Sequence, residues 1–267
     1  MRIERHTVAE KTLAEAVEDF AGRIAGQVRG EQHAPRGLSG WELIGDDLHD
    51  FAAACSARRP EVDGDAQAAL YSAGEAYTGE LRLGALPSEE PLSVHISFTG
   101  TGVSYQGMAE EELEGSRYPV RESDWARALY LFTIAGLEDR VVPVFMQAGG
   151  AVSDHTGLAR ALAGYLFREL EEPRGEVLAD LEAAGEPAGD AALLRALLAR
   201  DEKAFWLLLA ERLTAHRDAC GEGSPARTLL PIAPLAYTAM AVRIEGWEQR
   251  IESDYLPAQL IAGFPRE

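Results

Sequence analysis

The chain has 267 residues, 46% of them apolar, with 44 acidic against 25 basic side chains and a net charge of -19. That apolar content excludes a disordered chain, and the negative field repels nucleic-acid phosphates and anionic lipid while attracting cationic partners. No apolar run reaches the roughly 20 residues of a membrane span. The opening "MRIERHTVAEKT" is charged throughout and lacks the apolar stretch of a signal peptide, so a cytoplasmic protein is expected. Cys55 and Cys220 stand alone. They offer neither a disulfide framework nor a zinc-ligand spacing, and inert buried thiols are expected.

The first element reads as one helix, because Val17, Phe20, Ile24 and Val28 recur at spacings of three and four and line one face. Thr7 followed by Glu10 has the capping-box pattern, and Gly30 offers a stop. A second helix is expected from Ser39, with Glu42 three residues on, and a third from about Asp65 to Leu81. The period then changes. In "LSVHISF", Leu92, Val94, Ile96 and Phe98 alternate with Ser93, His95 and Ser97, the pattern of a half-buried strand. "TGTG" and the alternating "VSYQGM" complete a β-hairpin.

Beyond the hairpin, the acidic "AEEELEGS" suits a connection or a short helix. "SDWARALYLFTIAGLEDR" is apolar on nearly all sides, as a central buried helix would be. "SDHTGLARALAGYLFREL" and the Leu-rich "GDAALLRALLAR" give two more helices. In "DEKAFWLLLAERLTAHRDAC", Asp201 and Glu202 stand at the start and Arg212, His216 and Arg217 near the end, in keeping with the helix dipole. "LPIAPLAYTAMAVRI" starts a helix near Pro231 and Pro234, and a last short one begins near Pro257. No fixed-period repeat or linker interrupts the chain, so residues 1–267 are read as a single domain. The expected class is mainly α: an irregular multi-helix bundle or array with one β-hairpin inserted after the third helix.

Chemistry-bearing residues gather most densely in "IGDDLHDFAAAC". At about 100 degrees per residue, Leu48 and Phe51 face inward, Asp46, His49 and Asp50 share the opposite side, and Asp47 lies on the flank nearer Phe51. Such residue types build metal sites. A helical metal-dependent hydrolase using Asp46, His49 and Asp50, with His155 or His216 as a distant ligand, is the alternative to a solvated acidic face on a protein without catalysis. A metal site usually needs a further ligand from elsewhere, so the solvated face is favoured and no cofactor or metal is expected.

Ser93, His95 and Ser97 occupy the polar side of a hairpin, which normally faces water, and no nucleophile elbow accompanies them. The glycines of "GTG" lack the helix of a nucleotide loop and read as a turn. His155 beside Asp154 suits helix capping. Trp41, Trp125, Trp206 and Trp247 are expected in the core. The run Glu110, Glu111, Glu112 and Glu114 directly after the hairpin suits a docking element for a basic partner surface.

Several stretches resemble one family. "HTV" at His6 to Val8 leading into "DFAGRI" at Asp19 to Ile24, the hairpin followed by the aromatic helix around Trp125 to Phe132, "LPIAPLAYTAMA" and the ending "IESDYLPAQLI" resemble the immunity protein 49 family in the same order. The likeness spans nearly the whole chain and is least from about Gln147 through Leu198. The resemblance implies a mostly α-helical immunity protein of a bacterial polymorphic toxin system, which binds a cognate toxin and protects the producing cell. It carries over no catalytic residues. Candidate toxin-binding residues are those the charge pattern offers: Asp46, His49, Asp50, Glu110, Glu111, Glu112 and Glu114.

Overall fold

The computed structural model describes residues 1–33, 38–59, 62–85, 91–106, 122–136, 157–167, 174–183 and 189–263. It is 69% helical, with eleven α-helices and two short two-stranded sheets among those residues. The mainly α expectation holds, and the hairpin stands where it was expected. The first helical stretch, however, is two helices, α1 (Glu10–Val17) and α2 (Phe20–Glu31). Asp19 breaks them by adopting the left-handed conformation at φ 43°, which is uncommon for a non-glycine residue. The break lets each piece bury its own face, Leu13 and Ala16 from α1 and Phe20, Ile24 and Val28 from α2. Thr7 makes no capping box either. The N-cap is Ala9 and receives no side-chain hydrogen bond.

Helices α3 (Leu38–Arg58) and α4 (Gly64–Ala85) pack extensively on each other. Gly45 permits this approach, since a β-carbon there would stand 2.8 Å from the Tyr77 ring. The hairpin follows: β2 (Leu92–Ile96) pairs antiparallel with β3 (Thr101–Tyr105), matching Val94 with Val103. Its apolar side seats on α4, where Gly79 makes room for Val94. Ser93, His95 and Ser97 face water, as their alternation predicts. Phe98 lies just past β2, in the turn, where its ring meets the stacked Phe20–Phe51 pair edge-on. That turn is fixed to α4 by Glu75, which accepts the Ser97 amide at 2.7 Å, and by Ser72, whose hydroxyl accepts the Phe98 amide at 2.9 Å.

The aromatic helix α5 (Glu122–Ala135) is the centre of the molecule. It packs against α4, α6 (Leu158–Leu166), α10 (Ile232–Arg243) and α11 (Ala258–Ala262), which accounts for its apolar residues on every side. Between these run α7 (Arg174–Ala183), α8 (Asp190–Leu198) and α9 (Glu202–Ala219). Asp201 caps α9 by accepting the Ala204 amide at 2.9 Å. Arg243 donates to the carbonyls of Thr133 and Ile134 near the end of α5 and of Leu260 and Ile261 in α11, satisfying orphaned helix-end acceptors with a cation. Trp41 and Trp125 are fully buried, Trp206 nearly so, and Trp247 packs on Phe205.

Two short elements escaped the sequence reading. Strand β1 (Arg2–Ile3) pairs in parallel with β4 (Glu252–Ser253). A 310 segment, Ala226–Leu229, sits against α3. Together they bring the start of the chain and α3 onto its C-terminal part.

Candidate functional site

The α3 cluster forms as helical spacing dictates: Asp46, His49 and Asp50 do share a side. That side is mostly covered rather than open to water. It is covered by the 310 segment and the residues after it, and the expectation of a solvated acidic face is corrected. His49 is 6% exposed, and its Nε2–H donates to the Leu230 carbonyl at 2.8 Å. Burial lowers the imidazole to a pKa of about 4, so the ring is neutral. Arg227 lies across both aspartates. Its backbone amide and Nη1 each stand 2.6 Å from Asp50, and its Nη2 is 3.0 Å from Asp46. Burial pushes the Asp50 carboxyl up, and the Arg227 bonds pull it back. Tyr77 also donates to Asp46, and burial holds its phenol well above its usual range. Arg127 stacks 4.9 Å from the Tyr77 ring centre and pairs with Glu42. Asp47 turns to α2, accepting from Arg23 and Gln27. The hydrolase alternative needs free carboxylates beside a free imidazole nitrogen. Here both carboxylates are paired with Arg227, and the buried His49 ring is held by its Nε2 on the Leu230 carbonyl.

Glu110, Glu111, Glu112 and Glu114 lie outside the described residues, as do Asp154 and His155. Both cysteines are half-buried rather than buried. Cys55 is held protonated by burial, in keeping with an inert thiol.

Cys220 has neighbours the sequence did not reveal. Among the described residues, the metal-ligating group whose donor atoms all lie within 4.8 Å of one another is His6, His216 and Cys220. His216 and Cys220 are four apart at the end of α9, on one face, with Nε2 and Sγ separated by 3.9 Å. His6 arrives through the β1–β4 pairing, which sets the first residues beside Tyr255. The Tyr255 hydroxyl accepts the His6 amide at 3.0 Å and bonds Nδ1 at 2.6 Å. Thr228 of the 310 segment holds both rings: its hydroxyl meets His6 Nε2 at 3.0 Å, and its carbonyl meets His216 Nε2 at 2.7 Å. Burial, then His216 and Arg5, lower the His6 pKa. The one sequence signal was the four-residue spacing of His216 and Cys220. The third member stands 210 positions before His216, where no spacing rule reaches.

His6 also lines a cleft of about 600 Å³ with Arg5, Arg58, Arg59, Leu13 and Asp254. Arg58 pairs with Glu10 and Arg59 with Asp63. Arg5 donates to the Asp254 carbonyl, and burial lowers its pKa to about 10. No described helix is long and apolar enough to cross a membrane.

Among known proteins, the family model described as Immunity protein 49 matches residues 120–260, from just before α5 into α11. No curated protein and no solved structure matches the chain. The matched span includes residues 147–198, where the sequence resemblance was least. It leaves out "HTV", "DFAGRI" and the hairpin, so those N-terminal likenesses lie outside it.

Proposed function

Since this chain belongs to the immunity protein 49 family, we propose that it binds a cognate bacterial toxin domain directly and blocks it, without catalysis of its own. The single observation that carries this reading is the family match over residues 120–260. The charge supports the manner of binding. A chain of net charge -19 is steered toward a cationic partner and can occupy a basic cleft in place of an anionic substrate. The polymorphic-toxin setting and a cytoplasmic site of action belong to the same proposal.

The toxin-facing residues we propose are Glu110, Glu111, Glu112 and Glu114. Asp46, His49 and Asp50 are less suited to direct contact, because Arg227 and Leu230 already engage them. The test is co-expression and pulldown with the toxin-like domain encoded beside this gene. Rescue of growth with a stable complex is expected. Full toxicity with no binding sinks the pairing. Replacing the four glutamates with lysine should slow association several-fold, most at low salt, with an unchanged melting temperature. An unchanged association rate removes that stretch as the contact.

A further inference from the structure

We propose that His6, His216 and Cys220 bind one divalent transition metal ion of borderline softness, zinc being the best match, and that the ion clasps the start of the chain to the end of α9. The donor set is chemically selective. Two imidazoles and one thiolate suit zinc and disfavour magnesium and calcium, which take oxygen ligands.

The geometry is near what such an ion requires. Tetrahedral zinc, with bonds of about 2.0 Å to nitrogen and 2.3 Å to sulfur, sets its donors roughly 3.3–3.6 Å apart. His216 Nε2 and Cys220 Sγ stand at 3.9 Å, and all three donor atoms lie within 4.8 Å. Side-chain rotations of about an ångström close the remainder. All three residues are half-buried, so an ion can reach them without unfolding the chain. Three protein ligands leave one tetrahedral position for water or for a side chain of a partner.

The proton balance follows from the hydrogen bonds. The Thr228 hydroxyl donates to the Pro225 carbonyl at 2.7 Å, so it accepts from His6 Nε2–H. The Thr228 carbonyl likewise accepts from His216 Nε2–H. Coordination replaces Thr228 at both nitrogens, and each ring proton moves to Nδ1. On His6, the Nδ1–H then donates to Tyr255, an outer contact that orients the ring for its metal. Cys220 loses its thiol proton to solvent. One proton is therefore released per metal bound.

The inference is independent of toxin binding and is tested on the full chain alone. Chelator-stripped protein is dialysed against zinc, and against cobalt as a spectroscopic probe. The expected result is one metal per chain, a thiolate-to-cobalt absorption band, and a melting temperature that rises with zinc. C220S should lose the band and weaken zinc at least tenfold, and H216N should weaken it likewise, whereas C55S should match the unaltered chain. Zinc should also slow alkylation of Cys220 but not of Cys55 on the unaltered chain, a readout that needs no variant to fold. Absence of stoichiometric zinc, or equal retention by C220S, overturns the proposal.

Discussion

Two polar seams join the N-terminal part of the molecule to the family-matched C-terminal part, and they are built on opposite principles. At the first, Asp46 and Asp50 of α3 close around Arg227, with His49 donating to Leu230 beside them. Charges meet charges, the side chains are mostly covered, and donors and acceptors are matched within the protein. At the second, His6, His216 and Cys220 are half-buried, and Thr228 and Tyr255 hold the rings through exchangeable bonds. In a closed seam of ions, removing either sign leaves the other poorly compensated, so neither partner is available to a ligand. An open cluster of soft donors can trade its partners for a ligand. Residue types that look alike in sequence, acid with histidine in one place and cysteine with histidine in another, thus take different roles through burial and partnering.

Breaking the first seam should give the largest effect. Arg227→Ala removes the guanidinium from two mostly covered carboxylates while Asp50 keeps the backbone amide and Asp46 keeps the Tyr77 hydroxyl, and a loss of roughly 2–3 kcal/mol is expected after allowing for their partial exposure. Urea unfolding followed by tryptophan fluorescence measures it. Adding Asp46→Asn and Asp50→Asn to that variant should recover part of the loss. No recovery would mean that the Arg227 stem, rather than its charge, is what matters.

The buried histidine sharpens the same contrast. His49 has a folded pKa of about 4 against an ordinary value of 6.5. Between these values the unfolded chain binds the proton and the folded chain does not, so stability falls as pH falls. The contribution is complete above about pH 6.5, is lost progressively toward pH 4, and amounts to roughly 2 kcal/mol between about pH 8 and pH 5. The difference in stability between the unaltered chain and His49→Gln, followed across that range, isolates the effect from other titrating groups. A pH-independent difference would mean that the imidazole is solvated in the folded protein.

The smallest effect serves as a control away from both seams. Asp201→Ala removes the side-chain cap of α9, with an expected loss of about 1 kcal/mol by thermal or chemical unfolding. If α9 frays at its far end instead, hydrogen exchange near His216 should rise, which would couple the helix to the second seam.

The features legible in the chain alone were local ones. The alternation of Leu92, Val94 and Ile96 fixed the hairpin, because a two-residue period places one face in the core. The all-round apolarity of the Trp125 helix marked it as central, and Asp201 declared the start of α9. Helical spacing also put Asp46, His49 and Asp50 on one side. Spacing could not say what that side would meet, since Arg227 comes from the 310 segment and Leu230 directly follows it, some 180 residues on, where the pattern is unremarkable. The break at Asp19 was equally hidden, because a left-handed residue leaves the apolar period on both sides intact. His6 reaches His216 because two-residue strands pair Arg2 with Glu252 and Ile3 with Ser253, and because the Ala9 amide donates to the Glu222 carbonyl just past α9. Pairing that short is decided by how the helices pack around it, and so the meeting of His6, His216 and Cys220 was settled by tertiary structure alone.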